Sequence, residues 1–561
     1  PMTRKDPDPI TLEILWNNLN SIADECFITL MRSAFSTNIK ERHDHSTAIT
    51  DASGNLIAQA EHALPIHLAS MAGLVAHILD RYDGDINEGD IFISNDPHVA
   101  GGTHLPDINM AIPVFNQGRL VGFVANIVHH ADVGGAMAGS MSGGMDEIYK
   151  EGLRIPIVKL YHQGVVNDAI MRILLLNMRL PEERKGDLNA QIAACRLGVA
   201  RLKDIIQRYG ADYLEDIYAA ILDRSRQRME TAIEALPDGT YRFEDMMDDD
   251  GIDTLDILIA VDITKKGKNI LFDFSRSASQ VAGNFNLTFN ATQSAVCYSL
   301  KALLDPEMPN NSGIFQAIDI TVPEGSFLNC VAPAGVALRA NTCQRVVDVV
   351  IGAFADVLPL QVIGAANGAN TSAVFAGVNP ETGQRYVYLE TLGGGMGARA
   401  TKDGKDGVQV NITNTSNLPV EAIEMEYPLR VEAYALVEDS GGAGEYRGGL
   451  GIRRTIRPVG HICEFNGVGE RFRHQPWGVF GGQPGSAGRF YFVDENGEKR
   501  DLPSKTGSIK LDSKTAVFME TPGAGGYGNP ENRSSENREE DRRSGKFSHE
   551  YLAKNYPMPS Q

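Results

Sequence analysis

Of the thirteen histidines in the 561-residue sequence, His98, His104, His129 and His130 fall within residues 94–135, beside Asp96, Asp107 and Asp132. Imidazole and carboxylate together suit a divalent cation such as zinc, manganese or iron. These metals accept N and O donors in one site and keep a position open for water or substrate. The same residue types also serve as polar turn groups, and a lone His-x-x-Asp such as His104–Asp107 is a short motif. A second pair, His129–His130, is brought back by a hairpin pattern: apolar runs at 108–115 and 120–128 flank the turn signal Asn116-Gln117-Gly118-Arg119. Two strands would then hold the ligand-bearing turns on one frame. Upstream, residues 41–46 read as the approach to a strand, with Arg42, Asp44 and Ser46 on one face and His43 and His45 on the other. Asp44 is there either a further ligand or part of a solvated edge.

The elements that must position these groups can be read from periodicity. Asp8-Pro9 has the form of a cap followed by Pro at the first helical position, and Leu12, Leu15, Leu19, Ile22, Phe27 and Leu30 recur at helical spacing. A second helix is expected over 67–81. Residues 136–156 are rich in small residues and Met, which predicts a loop able to lie close to a ligand, with Asp146, Glu147 and Arg154 as polar candidates. Residues 166–236 read as helices stopped by Pro237-Asp238-Gly239. From 240 the signals turn to strands, at 255–263 and 270–274 around a turn at 265–268, followed by a buried helix at 291–304. Glycine runs at 365–370, 393–397, 440–444, 448–451, 481–482 and 523–526 indicate the tight turns of a β-rich part, and none has the GxxxxGK[ST] form of a phosphate loop. The polar groups at 341–345, placed before a helix, and at 411–415 and 469–473 are cleft-lining candidates or caps. The charged run after Pro530 predicts a linker or disordered arm that docks on a partner through Tyr551-Leu552-Ala553. The fold class expected is α+β and multi-domain. It comprises a metal-site α/β part at 1–165, a helical subdomain at 166–236, a Gly-rich β-dominated domain at 237–530 and a charged arm at 531–561.

A hydrophobic content of 42% supports a large core, while a net charge of −20 and pI near 5.1 argue against nucleic-acid or membrane-surface partners. Six cysteines without CxxC spacing indicate neither a disulfide framework nor a thiolate zinc site, and fit a reduced cytoplasm. The sequence shows no secretory signal pattern and no apolar run of membrane-spanning length.

The ordered motifs NDPHVAGGTHLPD, HHADVGG, IYKEGLRIP, NNSGIF, QRVVDVV, ETLGGGMGAR, NTSNLPVEAIEMEYPLR, GGAGEYRGGLGIRR and ETPGAGGYGNP resemble the hydantoinase B/oxoprolinase family from about residue 8 to 530. The resemblance implies a metal held by Asp44, His104, Asp107 and His129, with Asp44, His129 and His130 as catalytic candidates. Ile127-Val128 replaces more polar residues before the histidine pair, so His129 and His130 both stand as ligand candidates. It also implies an A-type partner that binds ATP and magnesium, in a heterotetramer or larger hetero-oligomer, with bicarbonate as a possible co-substrate. Two reactions follow from the family: ATP-dependent opening of a lactam, hydantoin or oxoproline ring, and ATP-dependent carboxylation of a ketone. The motif set and chain length favour the first. A scaffold with a structural metal is the alternative outside catalysis, and an open, water-bound metal position would distinguish an enzyme from it.

Overall fold

The computed structural model describes residues 7–557. The Asp8 carboxylate accepts the Thr11 amide at 2.9 Å, a cap that contributes about 1 kcal/mol. Behind it α1 (Pro9–Ser33) buries Leu12, Leu15, Leu19, Ile22, Phe27 and Leu30 on one stripe. After the single-turn α2 (Thr37–Lys40) come β1 (His45–Asp51) and β2 (Leu56–Gln59), then a 3-10 turn at Pro65–His67 that runs into α3 (Leu68–Arg81). With β3 (Ile91–Ser94), β4 (Asp107–Asn116), β5 (Arg119–His129), β6 (Val158–His162) and β7 (Val165–Val166), they form a seven-stranded sheet ordered β2-β1-β5-β4-β3-β6-β7. Every neighbouring pair in it is antiparallel.

The expected hairpin lies at the middle of this sheet. Gln117 (φ 50°) and Gly118 (φ 79°) make its two-residue turn, the positive-φ pair whose twist matches that of the strands. Pairing from Asn116–Arg119 then runs down to Asp107 opposite His129.

Both faces of the sheet are covered, which is why the two hairpin strands read as nearly continuous apolar runs. One face packs Ile108, Met110, Ile112 and Val124 against α1 and against Leu188, Ile192 and Leu202 of α5 (Pro181–Tyr209). That helix follows α4 (Asp168–Asn177) and precedes α6 (Ala211–Glu234). The other face packs Phe92, Ala111, Phe123 and Ile127 with α3 and with Ala291, Ala295 and Leu300 of α7 (Phe289–Leu304).

Next comes a four-stranded sheet of β8 (Gly239–Asp249), β9 (Leu255–Lys266), β10 (Asn269–Asp273) and β11 (Asp319–Thr321), ordered β11-β10-β9-β8. After α8 (Ser312–Phe315), α9 (Arg339–Ala353) is buried along its whole length. The group Asn341–Arg345, expected ahead of a helix, lies within the first turns of α9. Arg339 and Ala340, both good helix formers, make up the first helical positions ahead of that group.

The β-rich remainder holds two sheets. One joins β12 (Ser372–Val378), β13 (Arg385–Thr391), β16 (Cys463–Val468) and β19 (Ile509–Leu511). The other joins β14 (Leu429–Leu436), β15 (Ile452–Pro458), β17 (Arg489–Val493), β18 (Lys499–Leu502) and β20 (Ala516–Glu520), with α10 (Val420–Glu426) between β13 and β14 in sequence. The glycine runs serve close backbone packing here: a Cβ on Gly523 would stand 1.7 Å from the Ser440 carbonyl oxygen.

The charged C-terminal stretch departs from the linker expected of it. It forms α11 (Ser535–Ser544) and α12 (His549–Asn555), docked on the β-rich part. Two of its charges are buried and paired: Arg533 forks onto Asp403 at 2.8 and 2.9 Å and reaches Asp541 at 2.8 Å. Phe547, Leu552 and Tyr556 pack on Ala443 and Leu450. Residues 558–561 of that arm lie outside the described residues. Among the described residues, no helix is long and apolar enough to cross a membrane.

Candidate metal centre

The register of the central hairpin sets Asp107 and His129 side by side, and the turn before β4 returns His104 to the same point. That turn is held by close packing, since a Cβ on Gly102 would stand 2.8 Å from the Asn95 carbonyl oxygen. His104 Nδ1 donates to the Ala337 carbonyl at 2.9 Å. A carbonyl only accepts, so the ring proton sits on Nδ1 and Nε2 keeps its lone pair. Nε2 points inward, 3.2 Å from Asp107 Oδ1, and the His104 and His129 rings are 4.9 Å apart. Ligand-capable atoms of His104, Asp107 and His129 lie within 4.8 Å of one another, and all three residues are buried.

Asp107 Oδ2 is held by Arg339 Nη2 at 2.7 Å and Thr103 Oγ1 at 3.0 Å, with His67 Nε2 at 3.3 Å. Burial pushes the Asp107 carboxyl up, but His104, Arg339 and His67 outweigh it and hold the group well below the usual carboxylate range. Burial, aided by Arg339, lowers His104, and burial together with His104 lowers His129 well below the ordinary range. Both imidazoles are therefore neutral, the form that ligates metals.

Asp44 reaches the site from the other side. It lines a cavity of about 20 Å³ with His129, Met141, Arg339 and Asn370, room for about one water molecule. Its carbonyl accepts the His129 amide at 3.1 Å. Its carboxyl is raised by burial and by Asp107, against the pull of Arg42. It falls outside the mutually close set of three.

The donor set fits a divalent cation. His104 Nε2 and Asp107 Oδ1 are buried without an aligned hydrogen-bond partner among the described residues, although they converge. Leaving such groups unsatisfied costs about 1–3 kcal/mol each, and a cation between them would remove that cost. It would also favour the ionised form of Asp44, which burial otherwise opposes.

The remaining sequence candidates go elsewhere. His130 turns toward the helical layer, where Nε2 meets Gln191 Oε1 at 2.8 Å and burial, with Arg184, brings its pKa down to about 4. His98 contacts the Ala334 carbonyl at 3.0 Å. Asp96 accepts the His98 and Val99 amides and pairs with Arg154, while Asp132 accepts the Gly134 and Gly139 amides and pairs with Arg179. Asp146 pairs with exposed Lys150, and Glu147 does not line the cavity.

The strand alternation expected from Arg42 begins only at His45, because His43 has φ 58° and breaks the extended run. His45 stacks on Phe27 at 3.9 Å. The predicted loop does approach the site, through Met141 Sδ at 3.1 Å from His129 Nε2.

Three contributors were not legible in the sequence, His67, Arg339 and Asn38, and Arg42, placed beside Asp44 by the sequence, acts through Asn38. Asn38 Nδ2 donates to the His129 carbonyl at 2.6 Å and stands 3.1 Å from its Nδ1, while Arg42 bonds Asn38 Oδ1 and Thr391. Nothing in their spacing marks them; only the fold brings them in.

Comparison with known proteins agrees with this architecture. The sequence is 38% identical over 530 residues to an uncharacterised protein of Methanocaldococcus jannaschii, covering 94% of this chain and 92% of that one. It is 33% identical to the B subunit of a putative D-/L-hydantoinase from a Pseudomonas species, covering 95% and 92%. It is 34% identical to 5-oxoprolinase 1 of Arabidopsis thaliana, covering 93% of this chain but 42% of that longer protein. The ATP-dependent caprolactamase of Pseudomonas jessenii superposes with a TM-score of 0.92 at 27% identity, covering 99% and 97%. An acetone carboxylase shares the fold at TM-score 0.91 and 18% identity, covering 98% and 79%. The sequence model of the hydantoinase B/oxoprolinase family matches residues 8–530, and the chain belongs to that family.

Proposed function

We propose that this chain is the metal-dependent catalytic B-type subunit of an ATP-dependent cyclic amide hydrolase that opens a lactam, hydantoin or oxoproline ring. The observation that carries the reading is the convergence of buried, unsatisfied donor atoms on His104 and Asp107 beside His129. Likeness to a caprolactamase and to one component of a hydantoinase supports the choice of substrate class. Zinc or manganese, with iron as a further option, would be held by His104, Asp107, His129 and Asp44. When bound, it would supply Lewis acidity toward a carbonyl or an acidified water.

The chain's own groups set the stage for that chemistry. Ala337 fixes the His104 tautomer, Arg339 and Thr103 keep Asp107 charged and oriented, and Asn38 fixes the end of β5. Of the catalytic candidates, Asp44 and His129 face the cavity, and His130 anchors the strand end through Gln191. Asn370 is buried and lines the cavity, and its Oδ1 has no partner among the described residues. It can accept a ring N–H. Leu64, Ile66, Met141 and Ile412 supply the apolar part of the cavity lining. A ring substrate exceeds about 20 Å³, and unbranched Met141 is the lining side chain best able to swing aside.

An unstrained amide is a poor electrophile, and phosphorylating its oxygen creates a leaving group. That step is assigned to an A-type subunit that holds ATP and magnesium in a cytoplasmic hetero-oligomer, with bicarbonate as a candidate co-substrate. The longer Arabidopsis relative has room for such a part in one polypeptide.

The test is to assemble the chain with an A-type subunit and supply ATP, isotopically labelled bicarbonate and a panel of lactams, hydantoins and ketones. The expected products are a ring-opened amino acid (N-carbamoylated when the substrate is a hydantoin), ADP and inorganic phosphate. Stable label in a β-keto acid, with every cyclic amide intact, would replace this reading with ketone carboxylation. Turnover of ATP by this chain alone, at the rate of the assembly, would overturn the division of labour.

A further inference from the structure

We propose that Asn341 is a positioning residue that presents Asn370 to the substrate; the inference rests on the cyclic amide reading above, in which the Asn370 carboxamide accepts a ring N–H. The bond that carries it runs in one direction only. The Asn370 amide donates to Asn341 Oδ1 at 2.8 Å, and a backbone N–H cannot accept, so the Asn341 carboxamide must turn its oxygen to it. The other end of that carboxamide agrees: Nδ2 faces the Leu338 carbonyl, an acceptor, at 3.4 Å. Both asparagines are buried.

Asn341 belongs to the first turn of α9, and its neighbours in that turn serve the same site. Arg339 Nη2 holds Asp107 Oδ2 at 2.7 Å, Ala340 lines the cavity, and Asn341 holds the backbone of Asn370. Three consecutive residues of one buried helix therefore touch Asp107, the cavity and the acceptor that faces it. Asn341 is itself absent from the cavity lining, so it reaches a substrate only through Asn370.

The segment that carries Asn370 lies against α9 at a second point. Asp348, two helical turns beyond Asn341 and so on the same side of α9, accepts Arg471 Nη2 at 2.7 Å. Gly368 fits beneath that pair with φ 57°, and a Cβ there would stand 2.6 Å from Arg471 Nε. On the far side the Asn367 amide donates to the Gly395 carbonyl at 2.8 Å, and the Thr371 carbonyl accepts the Leu392 amide at 2.7 Å. Asn341 supplies the bond at Asn370 itself. Without it a buried N–H loses its acceptor, and the backbone at Asn370 must shift to find another.

The experiment is a double-substitution cycle in the assembly with an A-type subunit and ATP, with caprolactam, pyrrolidone and hydantoin as probes. It compares wild type, Asn341→Leu, Asn370→Ala and the two combined, with Asn341→Asp as the variant that keeps the acceptor oxygen. Asn341→Leu is expected to raise KM about tenfold with kcat little changed, as for the loss of one hydrogen bond made in ground and transition state alike. Added to Asn370→Ala, it should change kcat/KM by no more than about twofold, because substitutions that act through one contact do not add. Asn341→Asp should stay within about threefold of wild type, since its oxygen still accepts the Asn370 amide. An assembly that opens no cyclic amide overturns the reading above and this inference with it. Asn370→Ala at wild-type kcat/KM removes Asn370 as the substrate contact and overturns the inference while ring opening stands. With Asn370→Ala impaired, a wild-type KM in Asn341→Leu, or losses that multiply in the double variant, overturns the positioning role alone. So does an equal loss in Asn341→Asp, which would assign the effect to packing. Loss of bound metal from Asn341→Leu would route the effect through Arg339 and Asp107 and also overturn it. Should Asn341→Leu fail to fold, Asn341→Ala takes its place in the same cycle under the same criteria.

Discussion

Glu151 is the buried acid on which the outer support of His104 depends, and its ionisation gives a quantitative expectation. Its Oε1 accepts the Val336 and Ala337 amides at 2.7 and 3.1 Å, and the Ala337 carbonyl in turn holds His104. Its Oε2 has no partner among the described residues. Complete burial pushes the carboxyl from its ordinary 4.5 up to about 8, although the two amides pull the other way. Below pH 4.5 the acid is protonated in both states and costs nothing. Between 4.5 and about 8 the unfolded chain ionises while the folded chain keeps its proton. The folded state binds more protons there, so stability falls as pH rises and levels off above about 8.

At about 1.4 kcal/mol per pH unit, that interval corresponds to roughly 5 kcal/mol. Glu151→Gln keeps an acceptor oxygen for both amides and has nothing to ionise. Urea unfolding of both proteins from pH 5 to 8.5 should give similar midpoints at pH 5. The Gln variant should be more stable by several kcal/mol at pH 8. Parallel curves, or a Gln variant weaker by the same amount at every pH, would refute the buried neutral acid.

Arg533→Ala should destabilise the docked C-terminal helices by about 3–5 kcal/mol, because Asp403 and Asp541 would lose a buried partner. Urea unfolding followed in the β-rich part, together with increased proteolysis after residue 530, would report it. Asn370→Ala should lower kcat/KM for a cyclic amide by about tenfold or more, the worth of one lost hydrogen bond in a buried site, while zinc content stays at the wild-type value. Loss of zinc in that variant would place Asn370 in the metal's support instead.

The sequence disclosed what depends on local periodicity and turn chemistry. The Asp8 cap, the Gln117-Gly118 turn and the strands it joins all followed from residues a few positions apart. So did the placement of Asp107 near His129, because hairpin register is set by its turn. What depended on distant packing was hidden. His67 reaches Asp107 across 40 positions, and Arg339 reaches it from 232 away. His130 resembled a ligand as much as its neighbour until the residue after β5 was seen to turn to Gln191. The C-terminal arm misled through composition, since its charges meet partners in the β-rich part more than 80 residues upstream.

The cation is best sought by elemental analysis of the purified full chain, run beside His104→Ala and Asp107→Ala variants shown to be folded. The donor geometry predicts about one equivalent of zinc or manganese in the wild type, the stoichiometry of a single catalytic site, and its loss from both variants. A full metal complement in folded His104→Ala and Asp107→Ala proteins would contradict the assignment of the site.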